Sequence, residues 1–523
     1  MSLSDDLCRS YLDLRWHFDP AAATLAGIAE HDGRLGQFGP AAIREHLAAF
    51  RAIEAGIEEL EVEDAADELD RTALLDDVRV TIFRIQHERP QVRNPAFWLL
   101  HLCEALYGLR SRGLASGERS VAALARLKAV PAFLAEAEQT LDGPPAVFVD
   151  IARELFSPAA DLVTRLLHDC GPTMPDGAAG LAAAGADAHA SLARFRLVLD
   201  TELTAHADEH AFAAGDEHFE RLLHFQHAVT SGASELWRAV IRLEEEVEAE
   251  LRAIAGQVGH GVDWRAVLEA HLQSLPPWSD PGAAAVRELA RIDAFVRERD
   301  VVSSLIDRLE AEPLPGFLAP ITCQSSYLPP PLRGPNPARL WLRDAPITQV
   351  FLSPLVAESG WPGLHLQTLR SRQLPSAIRG QLGNSLVRGG WGLYAMEMLD
   401  EAGYWADPVE HLVARAHLLL RLLLARIDIG VHTSQLSLND AVRLLTDRLP
   451  FDDEHALAAV RGCCLEPTQA VGAIIGRREL RRIRDERRLE TRGRLSLRGV
   501  HDEILEYGGL PAPLIRWGMG LEG

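Results

Sequence analysis

The last third of the sequence carries side chains whose types and spacing suit proton-transfer chemistry. The run FLSPLVAESGWPGLHLQTLRSRQLPSAIR (351–379) holds Glu358 and His365 on either side of Trp361-Pro362-Gly363. The run SLVRGGWGLYAMEMLDEAGYW (385–405) places Tyr394 and Glu397 one helical turn apart, and LARIDIGVHTSQLSLNDAVRLL (424–445) places Asp428 and His432 at i, i+4. Each polar group is embedded in an otherwise apolar helical run. Buried ionisable groups are costly unless paired, so such residues build either a structural network or a site. Read as a site, Glu358, His365, Glu397 and His432 supply the acid, the base and the orienting groups, with Tyr394 as hydroxyl donor.

Other patterns are weaker. His206 and His210 at i, i+4, with Glu209 close by, have the spacing to share one metal ion, although surface histidines are ordinary in an acidic protein. There is no HExxH, no phosphate-binding glycine loop and no GxSxG elbow. The cysteines (Cys8, Cys103, Cys170, Cys323, Cys463 and Cys464) are scattered and show no CxxC spacing, which reads as reduced core thiols. The arginine-rich run from Arg477 to Arg484 has acids at helical spacing and reads as a salt-bridged helix face.

The elements that must position these groups are helices. Ala, Leu, Arg and Glu dominate, aromatic residues make up 6%, and β-branched runs are rare. Segments 41–60, 73–86 and 233–258 repeat apolar residues at i, i+3, i+4 and i+7. Ser157-Pro158, Ser279-Asp280-Pro281 and Asp407-Pro408 read as helix starts, and Ser437 with Asp440 approximates a capping box. The acidic run 58–70 reads as a solvated helix end or loop. Trp361-Pro362-Gly363 must kink or reseat its helix, because proline removes a backbone donor.

One stretch breaks the helical pattern. From Pro313 to Val350 the chain is proline-rich and poor in acids, and Ala338 to Arg343 alternates polar and apolar residues as a strand does. It is either a connector crossing the surface or a β-element walling a cleft. The expected fold is all-α or mainly α with a small β-element, a single large helical fold enclosing a cleft. Residues 1–312 form an amino-terminal helical region, 313–350 the proline-rich connector and 351–523 the helical region carrying the candidate site.

The 523 residues carry 53 Lys+Arg against 75 Asp+Glu, a formal charge of −22. That balance disfavours nucleic acid and anionic lipid as partners, since both need a positive footprint. It also disfavours an acidic ligand, unless the cleft is locally basic through Arg372, Arg379 or Arg388. No run of about 18 uncharged apolar residues exists, so no membrane span is expected. The opening MSLSDDLCRSYLDLRW has acids where an export signal has basic residues, and the expected location is cytoplasmic.

In this order these segments resemble DUF885, a large bacterial family of unknown function whose architecture looks like that of zinc metallopeptidases. FDPAAATLAGIAEHDGRL (18–35) is similar to the family's opening block, and VRNPAFWL (92–99), VPAFLAEAEQTLDGPPAVF (130–148) and FAAGDEHFERLL (212–223) follow in order. RGGWGLYAMEML resembles the family's EGWALYAEEL, DIGVH its DxGLH, and EPTQAVGAIIGRREL (466–480) its P-x-Q-A-x-x-Y-x-x-G block.

The resemblance implies zinc chemistry in an HExxPGHH motif and the Glu of EGW, with zinc polarising a carbonyl and activating water. Aligning the Pro-Gly pairs puts Glu358 at the first His, Ser359 at the Glu, and Leu364 and His365 at the final pair. Gly389 stands at the Glu of EGW and Ala473 at the tyrosine of the later block. A shift by one residue makes Glu358 the catalytic Glu and puts Ala357 at the leading His. In either register the first ligand is missing. The expected function is therefore a cavity without the zinc ligands, with no metal and no cofactor. It would bind a small organic or peptide-like molecule, or act on it by acid–base chemistry through Glu358, His365, Glu397, His432 and Tyr394. The alternatives are a hydrolase whose metal site is rebuilt from Glu358, His365, Glu397 and His432, and a non-catalytic pseudopeptidase that holds a partner protein.

Overall fold

The computed structural model describes residues 3–62, 64–111, 116–173, 177–203, 210–259, 261, 263–276, 278–305, 307–382 and 385–521. Within them the chain is mainly α with one small sheet. The periodic segments fold as the helices Pro40–Glu58, Ala65–Phe83 and Ala233–Val258. The acidic run 58–70 spans the end of the first and the start of the second. There the Asp64 carboxylate accepts from the backbone N–H groups of Ala66 and Asp67.

Short polar side chains start other helices by satisfying first-turn N–H groups. Asp280 caps Pro281–Arg299, Asp407 caps Pro408–His432, and Ser437 caps Leu438–Thr446. The Ser437 hydroxyl also donates to the Asp440 carboxylate at 2.7 Å, in place of the backbone bond that would close a capping box. Ser157-Pro158 differs from its reading as a start, since Pro158 lies inside the helix Ala146–Cys170. Leu155, Phe156, Ala159 and Leu162 around it are all buried. Their packing outweighs a proline cost of roughly 3 kcal/mol.

The proline-rich stretch forms most of a three-stranded sheet. β1 (Leu309–Pro313) pairs parallel with β3 (Ala338–Leu342), and β2 (Ser325–Leu328) pairs antiparallel with the other edge of β3. The alternating Ala338–Arg343 run is thus the central strand, with Leu340 opposite Tyr327.

The Pro-Gly interruption reseats the backbone. Leu352–Leu355 runs into a π-helical turn, Val356–Gly360, and a new helix, Leu364–Arg372, begins after Trp361-Pro362-Gly363. Glycine is needed at 363, where a Cβ would lie 1.9 Å from the Glu358 carbonyl oxygen. Behind this turn the helices Ser385–Glu401 and Gln469–Glu490 touch backbone to backbone. A Cβ on Gly476 would lie 1.9 Å from the Leu386 carbonyl oxygen. Pro408–His432 is buried along most of its length and packs on both Ala233–Val258 and Gln469–Glu490. The apolar core is continuous from Cys8 to Leu521 and takes in all six cysteines, which are free thiols.

Candidate functional site

A cavity of about 980 Å³ separates the amino-terminal helices from the sheet and the carboxyl-side helices. Its wall includes residues of Arg84–Glu88 and Val356–Gly360, the two π-helical turns among the described residues. A π turn inserts one residue into the helical ladder and re-aims its side chains, and such turns are frequent at functional sites. β2 adds Ser325, Ser326 and Tyr327, so the proline-rich region does wall a cleft.

Glu358 lies on this wall in a fixed ionic cluster. Its Oε2 accepts from His417 Nε2 at 2.7 Å and from Arg421 Nε and a terminal nitrogen at 3.0 and 2.8 Å. Burial alone would raise the Glu358 pKa. The Arg421 guanidinium and the His417 hydrogen bond overcome that and bring it down to about 2. His417 is fully buried, and burial moves its own pKa down. His417 Nδ1 has no hydrogen-bond partner among the described residues.

His365 stands one hydrogen bond behind the wall. Its Nε2 donates to the Asp307 carbonyl oxygen at 3.2 Å, which makes Nδ1 the acceptor for the Tyr327 hydroxyl at 3.0 Å. Burial pushes the Tyr327 hydroxyl up to about 12 and the His365 imidazole down.

Two further groups on the wall carry no ion pair or hydrogen bond to the described residues. Glu104, on the helix Pro95–Ser111, is pushed up to about 8 by burial first and then by the charges of Asp19 and Glu466. Arg388, on Ser385–Glu401, has its pKa lowered by burial. Glu88, near Glu466 and Arg84, is raised to about 7, again chiefly by burial.

Tyr394, Glu397 and His432 do not line this cavity. The buried Tyr394 hydroxyl donates to His501 Nε2 at 2.6 Å, and His501 Nδ1 donates to the Val301 carbonyl oxygen. Glu397 is paired with Arg477 at 2.7 Å and Arg481 at 3.0 Å, which makes the arginine-rich run a salt-bridged helix face. His432 Nε2 donates to the Cys463 carbonyl oxygen at 2.9 Å, while Nδ1 accepts from the Ala214 N–H. Burial lowers the His432 pKa to about 4. Asp428 accepts from the N–H groups of Thr468, Ala470 and Val471 at 3.0–3.1 Å and anchors the start of Gln469–Glu490. Of the predicted site residues, then, Glu358 is on the wall, His365 touches it through Tyr327, and the other three are tied into helix packing.

His206 and Glu209 lie outside the described residues. Among the described residues no group of three or more His, Cys, Asp and Glu side chains is arranged to hold one metal ion. Some residues on the wall or directly behind it had a signal in the sequence. His417 and Arg421 are i, i+4 in a leucine-rich helix, and Glu104 is the single acid of FWLLHLCEALYGL. Tyr327 had none, because a four-residue strand between prolines shows no period.

Two solved structures share the fold. One is a candidate lipoprotein of unknown function from Shewanella oneidensis, at 18% identity and a TM-score of 0.80, covering 100% of each chain. The other is a candidate lipoprotein from Colwellia psychrerythraea, at 15% identity and a TM-score of 0.82, covering 100% of this chain and 99% of that one. These neighbours correct the expected cytoplasmic location, because a lipoprotein is membrane-anchored or exported. No helix among the described residues is long and apolar enough to cross a membrane. No curated protein matches the chain. Residues 20–519 match a family model across nearly the whole sequence, and the chain belongs to DUF885, bacterial proteins of unknown function.

Proposed function

We propose that this protein binds a small organic or peptide-like molecule in the cavity and acts on it by acid–base chemistry of its own side chains. The observation that supports this reading is a single cavity wall on which two of the carboxyl groups are pushed in opposite directions, Glu358 to about 2 and Glu104 to about 8. A separation of this kind assigns a proton donor and a fixed anion. At neutral pH Glu104 holds a proton that it can deliver to a nitrogen or oxygen of the bound molecule. Glu358 stays ionised, with Oε2 occupied by His417 and Arg421 and Oε1 left to accept from an N–H or ammonium group. Tyr327, whose hydrogen goes to His365, accepts a second polar hydrogen.

Several positions that the resemblance aligns with the family's motif lie on this wall, namely Glu358, Ser359, Leu364, Gly389 and Ala473. Their chemistry does not fit zinc. The Arg421 guanidinium already occupies the place of a cation beside Glu358, both His365 nitrogens are hydrogen-bonded, and Leu364, Gly389 and Ala473 offer no side-chain donor.

Incubation with a panel of dipeptides and N-acyl amino acids, followed by mass spectrometry, tests the reading. At least one probe is expected to be converted, with a rate that falls as pH rises through about 8, where Glu104 loses its proton. Glu104→Gln is expected to lower that rate about 100-fold. Unchanged turnover in the variant, or no conversion of any probe, would overturn the proposal.

A further inference from the structure

We infer that Arg388 is the docking point for a free carboxylate on the molecule that the cavity takes, as at the carboxyl end of a peptide or an N-substituted amino acid. The inference rests on the reading above and names its substrate class. Four arginines line the cavity, and three have carboxylate partners within the chain: Arg15 with Asp77, Arg84 with Glu88 and Glu466, and Arg421 with Glu358. Arg388 has none among the described residues. The groups that act on it electrostatically are the Tyr327 hydroxyl and Arg372, and no carboxylate acts on Arg372 either. Arg372 donates to the Pro331 carbonyl oxygen and lines the neighbouring groove. Arg379, the third arginine that the sequence offered as a basic contribution, is held by Asp70 at 2.6 Å and lies off the wall.

An enclosed guanidinium without a counter-charge is costly, and an anion arriving in the cavity relieves that cost. Arg388 is the one wall arginine without a carboxylate partner among the described residues, and a single open guanidinium suits a monoanion. A guanidinium fork grips the two oxygens of a carboxylate in one plane. A phosphate dianion would bring a second negative charge onto a wall that already carries Glu358.

Calorimetric titration with alanyl-leucine, its carboxyl-terminal amide, acetate and inorganic phosphate tests the assignment. The free acid is expected to bind about 30-fold more tightly than the amide. Arg388→Met should abolish that preference, Arg388→Lys should keep part of it, and Glu104→Gln should leave it intact while turnover is lost. Circular dichroism of each variant confirms that it folds. A preference for the acid that survives in Arg388→Met, or phosphate binding more tightly than acetate, would overturn the carboxylate assignment and leave the acid–base reading standing. Arg388-dependent acetate binding with neither dipeptide form bound would keep the carboxylate assignment and remove the peptide-like substrate. Binding of none of the four probes would overturn the inference.

Discussion

The packed interior around Ser385–Glu401 and Gln469–Glu490 and the wall of the cavity use the same kinds of side chain to opposite effect. In the interior, Tyr394, Glu397, Asp428, His432 and His501 all meet partners supplied by the chain. On the wall, Glu104 and Arg388 are left without ionic or hydrogen-bond partners among the described residues. A buried polar group whose partners are all internal stabilises one packing arrangement, whereas one left open costs stability and waits for a ligand. The difference between the regions lies in satisfaction rather than in residue type.

The contrast is sharpest at Asp428. Replacing it by alanine leaves three backbone N–H groups at the start of Gln469–Glu490 without an acceptor, and a loss of about 3 kcal/mol is expected in denaturant unfolding. A loss below about 1 kcal/mol would show that this network is not structural. Glu104→Gln is expected to act in the opposite sense. A carboxyl whose folded pKa is raised contributes its stability below the unfolded value near 4.5 and loses it as pH rises through about 8. The variant has no such loss. Its stability relative to the parent should rise by about 2 kcal/mol between pH 5 and pH 9, a figure reduced for the water that reaches a cavity wall. Thermal unfolding across that range checks it, and a constant difference would break the comparison. The smallest effect is expected at Tyr394→Phe, which removes one hydrogen bond to His501 and should cost about 1 kcal/mol while leaving turnover within twofold. A large fall in turnover at unchanged stability would instead return Tyr394 to the site.

Much of the fold was legible in the chain because helices are local. The 3.6-residue period marked Ala233–Val258 to the residue, and Asp280, Asp407 and Ser437 marked starts because a cap acts on N–H groups within three residues of itself. The same logic misread Ser157-Pro158, where distant packing carries the helix through proline. Glu358 was legible as an acid in an apolar run, but its partners His417 and Arg421 come from a helix about sixty residues further on, brought into register by tertiary contacts. Tyr394, Glu397 and His432 had the same appearance in the sequence as Glu358. Embedding in an apolar helix reports burial and says nothing about whether a partner or a void lies opposite.

By itself the sequence determined a mainly helical chain, an alternating pattern at Ala338–Arg343 and an interrupted helix at Trp361-Pro362-Gly363, all of which follow from short-range patterns of polarity, proline and glycine, while its motif blocks carried the family resemblance. Only the tertiary structure decided which ionisable groups are satisfied and which are left facing a cavity. Glu104 and Arg388 are separated by more than 280 residues, and the space they border exists only where the two halves of the chain fail to fill it.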